Sequence, residues 1–206
     1  MERIGQYEVH EIIYEDTRTR VARGRARDGT PVIVKCVASE PPSTVQRVRL
    51  RREHDLLKRL EIAGVAGIPT VIAAHEQERV PHIALADNGG HALSDLLARG
   101  PLDVVDALDI GAQVAETLGR IHRAGIIHKD VKPSNVILDE SGRALLLDFG
   151  IAGELDRETH RDLGAGRLEG TLAYMSPEQT GRVNRPVDLR SDLYALGITI
   201  YEALTG

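Results

Sequence analysis

The sequence holds a single cysteine, Cys36. No internal disulfide can staple the fold, and nothing points to an oxidising compartment. Cys36 follows Lys35 in an apolar stretch, the setting of a small buried hydrophobe rather than of a nucleophile. Zinc-type spacing is absent. The first residues, Met1-Glu2-Arg3-Ile4-Gly5, lack the apolar centre of a signal peptide. No apolar run approaches the roughly 18 residues a membrane crossing needs. A cytoplasmic protein without a membrane partner is the expectation. Basic charge is not in excess either: the formal net charge is -5, which argues against nucleic acid as a partner. The basic run Arg47 to Arg52 is followed by Glu53, Asp55 and Glu61, the pattern of a solvated helix face. Internal repeats and low-complexity tracts are also missing.

What is present suffices for one or two compact units: 206 residues, 42% apolar and 28% charged. The first third reads as strands. Tyr7 to Ile13 and Val21 to Arg27 alternate, Asp28-Gly29 marks a hairpin turn, and Thr30 to Val37 follows as a buried strand. Pro41-Pro42-Ser43 breaks the chain. From about Thr44 to Ile62, the positions Val45, Val48, Leu56, Leu57 and Leu60 fit one helix. Val71 to Ala74 and His82 to Ala86 read as further strands, and Asp87-Asn88-Gly89-Gly90 as a boundary. Ser94 is placed to cap a short helix, Asp95 to Ala98. A long helix spans about Leu102 to Ala124 on Val104, Leu108, Gly111, Ala115, Leu118 and Ile121 or His122, with Gly125 at its stop. Short strands at 126–127, 136–138 and 144–147 follow, and Asp192 to Leu204 is the last helix.

Between those short strands lies His128-Lys129-Asp130-Val131-Lys132-Pro133-Ser134-Asn135, and thirteen residues beyond Asn135 comes Asp148-Phe149-Gly150. Phosphoryl transfer needs such a set. A carboxylate must take the proton of an attacking hydroxyl, hard oxygens must hold magnesium, and a cation must offset charge on the transferred group. Asp130 suits the first role, Asn135 and Asp148 the second, and Lys132 the third.

These segments resemble the eukaryotic-type protein kinases. His128-Lys129-Asp130 is similar to the catalytic loop and Asp148-Phe149-Gly150 to the metal-binding turn. Met175-Ser176-Pro177-Glu178 resembles the end of the activation segment. Asp192 to Gly197 resembles the stretch whose Asp braces the catalytic loop, and Val32-Ile33-Val34-Lys35 the strand carrying the ATP lysine. The resemblance covers residues from about Tyr7 to Gly206, and the order and spacing make it specific.

It implies an α+β, two-lobed fold. Residues 1–86 would form a lobe of antiparallel sheet plus one helix. Residues 87–206 would form a mainly helical lobe, truncated before its later helices, which should leave apolar surface exposed and Glu178 without its usual partner. It further implies ATP and Mg2+ as cofactors. Catalysis would fall to Asp130, Lys132 and Thr171, ATP binding to Val21, Ile33, Lys35, Glu53, Ala86, Asn88 and Ile137, and metal binding to Asn135 and Asp148. Glu53 would be the ion-pair partner of Lys35. Lys132-Pro133, with Thr171, resembles serine/threonine rather than tyrosine kinases, so the partner is a protein substrate with Ser or Thr. The stretch Tyr174 to Arg185 resembles the kinase domain that begins large bacterial sensors, implying downstream signalling domains in a longer chain.

The sequence also departs from the family. The glycine-rich loop falls on Tyr14-Glu15-Asp16-Thr17-Arg18-Thr19-Arg20-Val21, where only Val21 matches. Glycines there would let backbone amides approach phosphate, and Arg18 or Arg20 stand as possible replacement cations. Ile33 replaces an alanine. Lys129 replaces an arginine, giving a point charge instead of a bidentate fork. Thr159 is the hydroxyl candidate between Ile151 and Gly170. Three readings follow: an active serine/threonine kinase; a pseudokinase holding nucleotide with little transfer, motivated by the altered loop; and a small-molecule phosphotransferase, against which the Thr171 to Glu178 segment speaks.

Overall fold

The computed structural model describes residues 2–155 and 170–206; Thr159 lies outside them. The chain divides into two units. One comprises Met1–Glu61 and Pro69–Gly89, the other Ile62–Ile68 and Gly90–Gly206. The segment 62–68, assigned to the first lobe on sequence, groups with the second unit.

The first unit carries a six-stranded antiparallel sheet: β1 (Glu2–Ile4), β2 (Tyr7–Glu15), β3 (Thr19–Arg25), β4 (Pro31–Val37), β5 (Val71–His75) and β6 (His82–Ala86), in the order β1-β2-β3-β4-β6-β5. The alternation in β4 sets its two faces. Val32, Val34 and Cys36 are buried, while Ile33 and Lys35 point to the other side. The buried set joins Ile4, Tyr7, Val9, Ala22 and Ala84 in one cluster. Asp28-Gly29 turns the β3–β4 hairpin, with Gly29 at φ 87° and the Asp28 carboxylate accepting from Thr30 N–H.

Helix α1 spans Thr44–Ile62. Its buried stripe is Leu50, Glu53, Leu56, Leu57 and Leu60, so a glutamate sits within an otherwise apolar face. Val45 and Val48, counted on sequence with that face, are exposed. Periodicity found the helix but misplaced its first two turns, because the apolar seam starts only at Leu50.

The second unit holds β7 (His91–Ala92), α2 (Leu93–Leu97), α3 (Val104–Arg123), β8 (Ile126–Ile127), β9 (Val136–Leu138), β10 (Ala144–Leu146), β11 (Gly153–Glu154) and α4 (Leu189–Thr205). Short 3-10 turns cover Pro133–Asn135 and Leu172–Tyr174. Ser94 lies inside α2; the cap position is Ala92, with no side-chain bond. Asp103 caps α3, accepting from Val105 and Asp106 N–H. Val104 and Leu108 are exposed, and the buried stripe runs through Ala107, Ile110, Val114, Leu118 and Ile121. Gly111 lets α4 approach α3: a Cβ there would stand 2.7 Å from Ile200 Cδ1. Leu193, Tyr194 and Tyr201 of α4 are exposed. No helix among the described residues is long and apolar enough to cross a membrane.

Candidate active site

Strand register places the first unit's candidate residues. Val21 of β3 and Ile83 of β6 lie directly opposite Lys35, and Leu85 lies opposite Ile33. Directly opposed residues share a sheet face, so Val21, Ile33 and Lys35 lie on one face, away from the Val32/Val34/Cys36 core. On that face Lys35 Nζ donates to Glu53 Oε1 at 2.7 Å, with side-chain exposures of 12% and 5%. The apolar stripe of α1 is what sinks Glu53 to this depth. Ala86 falls on the opposite face, beside Val32, and its N–H donates to Thr70 C=O. Asn88 is exposed. Cys36 is a core residue whose thiol is pushed up to about 11 by burial.

The β2–β3 turn shows what replaces the glycines. Asp16 Oδ1 accepts from Arg18 N–H at 2.8 Å and Thr19 N–H at 2.6 Å, and Tyr14 OH donates to Oδ2 at 3.0 Å. Burial would raise the Asp16 carboxyl, yet the Thr19 and Arg18 amides, the Tyr14 hydroxyl and the Arg18 charge together hold it below its ordinary value. The turn's own carboxylate thus engages backbone amides of the kind a glycine-rich loop offers to phosphate. Arg20 reaches Glu15 at 2.7 Å and Glu2 at 2.5 Å, whereas Arg18 is exposed.

In the second unit the catalytic-type loop hangs on Asp192, fully buried near the start of α4. Its Oδ2 accepts from His128 N–H at 2.9 Å and contacts His122 Nε2 at 2.8 Å, and its Oδ1 accepts from Lys129 N–H at 2.7 Å. This holds Lys129 at φ 71°, a left-handed conformation that is uncommon for a non-glycine. His128 is buried, contacts Leu147 C=O through Nε2 at 2.9 Å, and meets Phe149 edge-on.

Asp130 is then presented with only 8% exposure. Its Oδ1 accepts from Thr171 N–H at 3.0 Å. Its Oδ2 receives Lys132 Nζ at 2.7 Å and Asn135 Nδ2 at 3.1 Å. Lys132 Nζ also donates to Thr171 Oγ1 at 2.7 Å. Asp130, Lys132, Thr171 and Asn135 therefore form one connected group. Asn135 is tied by its Nδ2 to Asp130 C=O at 2.8 Å, leaving Oδ1 as its metal-competent atom. Leu147 N–H donates to Asn135 C=O, which brings Asp148, at φ 64°, to the same loop. Asp148 Oδ1 accepts from Gly150 N–H. An amide oxygen and a carboxylate form a hard-oxygen donor set suited to a divalent cation. Ile137 is half-buried in β9, opposite Ala92 and Leu145.

Gln179 was missed on sequence. Its Nε2 donates to Lys129 C=O at 2.9 Å and its Oε1 accepts from Ser176 N–H, linking the Ser-Pro-Glu segment to the catalytic-type loop. It directly follows a recognised motif, but nothing linear signals its reach across fifty residues. Glu178 does find a partner, accepting from Ser191 Oγ at 2.6 Å.

Comparison with known proteins agrees with this architecture. The family model described as protein kinase domain matches residues 7–206. A probable serine/threonine-protein kinase of Corynebacterium efficiens is 35% identical over 187 residues, covering 86% of this chain and 27% of that protein. One of Thermomonospora curvata is 35% identical over 208 residues, covering 99% and 27% respectively. A serine/threonine-protein kinase of Myxococcus xanthus is 44% identical over 162 residues, covering 77% and 19%. The chain thus spans about a quarter of the length of the curated relatives it matches. On the family match and these likenesses together, this chain belongs to the protein kinase domain family, of the eukaryotic-like serine/threonine type.

Proposed function

We propose that the chain is the catalytic domain of a serine/threonine protein kinase, transferring the γ-phosphoryl group of ATP to a protein hydroxyl. The observation that carries this reading is the buried Asp130 group, in which one carboxylate gathers Lys132, Asn135 and Thr171. Asp130 takes the proton as the serine or threonine oxygen bonds to the γ-phosphorus. The bond from that phosphorus to the bridging oxygen breaks, and ADP leaves with the electron pair. Lys132 offsets charge on the transferred group, and Thr171 fixes the lysine through its hydroxyl. In the first unit Lys35, steadied by Glu53, supplies a cation for the nucleotide phosphates, Val21 and Ile33 are the apolar candidates for the base, and Ala86 and Asn88 are further nucleotide-binding candidates; in the second unit the apolar candidate is Ile137. Asn135 and Asp148 would hold magnesium, which neutralises phosphate charge when bound. We also propose, from the Tyr174 to Arg185 resemblance and the length of the relatives, that this domain acts within a signalling protein bearing further domains.

The β2–β3 turn favours a second reading, a nucleotide-binding domain with little transfer, because Asp16 already engages two amides there. Transfer from magnesium-ATP carrying labelled γ-phosphate to a generic basic protein substrate separates the two. The kinase reading predicts label on serine or threonine that is lost in Asp130→Asn. Bound nucleotide without transfer in either protein supports the second.

A further inference from the structure

The β5–β6 hairpin carries a feature that phosphoryl transfer does not use. His75 closes β5, His82 opens β6, and the two are directly opposed across the ladder. Opposed residues project to one side, and here the rings stack with 4.6 Å between centroids. The connecting loop brings Glu78 over them, with Oε1 at 3.3 Å from His75 Nδ1. One nitrogen of each ring and one Glu78 oxygen all lie within 4.8 Å of one another.

His82 is the informative member. Its side chain is fully buried. Nδ1 lies 2.9 Å from Val80 C=O, so the proton sits there and Nε2 carries the lone pair. That Nε2 has no hydrogen-bond partner. A buried polar atom without a partner carries a desolvation penalty, which makes it rare. Glycine is required opposite: at Gly5, φ +55°, a Cβ would stand 2.7 Å from His82 Nε2 and 2.9 Å from Glu78 Oε2. With glycine there, no side chain covers either donor. His75 Nε2 has two outer contacts, Tyr7 OH and Gln6 Nε2, each at 3.4 Å, and the phenol oxygen can take the Nε2–H once Nδ1 ligates.

We propose that His75, Glu78 and His82 form a binding site for a divalent transition metal of the zinc class, clipping the β5–β6 hairpin. Two imidazoles and a carboxylate suit that borderline class, with ligand bonds of about 2.0–2.2 Å. His82 is fixed, whereas His75 and Glu78 are partly exposed, at 24% and 44%, and close onto the ion by side-chain rotation. The clip has a structural reach within the first unit. Arg47 of α1 donates to the carbonyls of Glu76 and Glu78, and Arg51 of α1 lies 3.5 Å from the Glu76 carboxylate. Fixing the loop therefore braces the helix that carries Glu53.

The test titrates the chain with Co2+ and then Zn2+ under excess Mg2+, which occupies oxygen-rich sites and leaves imidazole sites open. Visible Co2+ absorption, calorimetry and thermal unfolding are read. The expected result is one ion per chain with a raised Tm, and affinity falling about tenfold or more in both His75→Gln and Glu78→Gln. These two partly exposed positions avoid disturbing the core around His82. His54→Gln, altering the neighbouring His54/Asp55/Glu76 group, should leave affinity unchanged. Absence of a one-to-one complex overturns the proposal. So does equal affinity in His75→Gln and Glu78→Gln, or loss confined to His54→Gln, which assigns the ion to the neighbouring group.

Discussion

Two segments that meet phosphate in the family's chemistry are built in opposite ways here. The loop around Asp130 is buried, and its conformation is imposed from outside by Asp192, which receives the His128 and Lys129 amides. The β2–β3 turn is exposed and holds itself: Asp16 binds the amides of Arg18 and Thr19 two and three residues away. In the first, side chains supply the chemistry and a distant carboxylate supplies the shape. In the second, one residue supplies the shape and engages the very amides that glycines would leave open. The loop at Asp130 is specified by tertiary contacts and the turn by local ones, so substitutions should act over different ranges.

The largest effect is expected at Asp192. Asp192→Ala removes the carboxylate that accepts from the buried His128 amide and the half-buried Lys129 amide, at about 1–3 kcal/mol each. Denaturant unfolding should show that loss, and transfer should fall about 100-fold or more as Asp130 shifts. Wild-type turnover in this variant would break the contrast. Next is Lys35→Met, which strips a buried carboxylate of its cation. A stability loss of about 3 kcal/mol is expected in urea unfolding, together with a raised KM for ATP.

The turn should respond more gently and in the opposite sense. Asp16→Gly frees the Arg18 and Thr19 amides and removes negative charge, so KM for ATP should fall about threefold to tenfold, one charge-assisted hydrogen bond being about 1.5 kcal/mol. A raised KM would show that Asp16 holds the turn in its working shape. The smallest effect is a titration. The Asp16 carboxyl is depressed, so its grip on the turn is complete above about pH 3.9, the unfolded value, and is lost only as pH falls through the lower folded value. The Arg18 and Thr19 amide NMR shifts should therefore move below about pH 3.9; movement centred above it would refute the assignment.

The same contrast explains what could be read from sequence. The Asp130 loop was legible because its residue types lie close together and in a fixed order relative to Asp148 and Asp192. Helices α1 and α3 were legible from periodicity, yet Val45, Val48, Val104 and Leu108 proved exposed. An amphipathic pattern reports that a helix has a buried face, not where along the helix its packing begins. Asp16 stood in the sequence only as a residue where the loop lacks a glycine; its capping of two amides depends on turn geometry. Glu178 was expected to lack its usual partner; the bond it accepts from Ser191 comes from α4, a contact that linear order does not announce. Gln179 and the His75–His82 pair were invisible for a common reason: their meaning comes from residues brought together by the fold, across fifty positions in one case and across a hairpin ladder in the other.

The most direct test is γ-phosphate transfer to a basic protein substrate, with nucleotide affinity measured in parallel, for the chain and its Asp130→Asn variant. General-base loss should lower transfer about 100- to 10,000-fold while nucleotide affinity stays unchanged. Equal transfer by both proteins would contradict the role given to Asp130, and bound nucleotide with no transfer by either would contradict the kinase assignment itself.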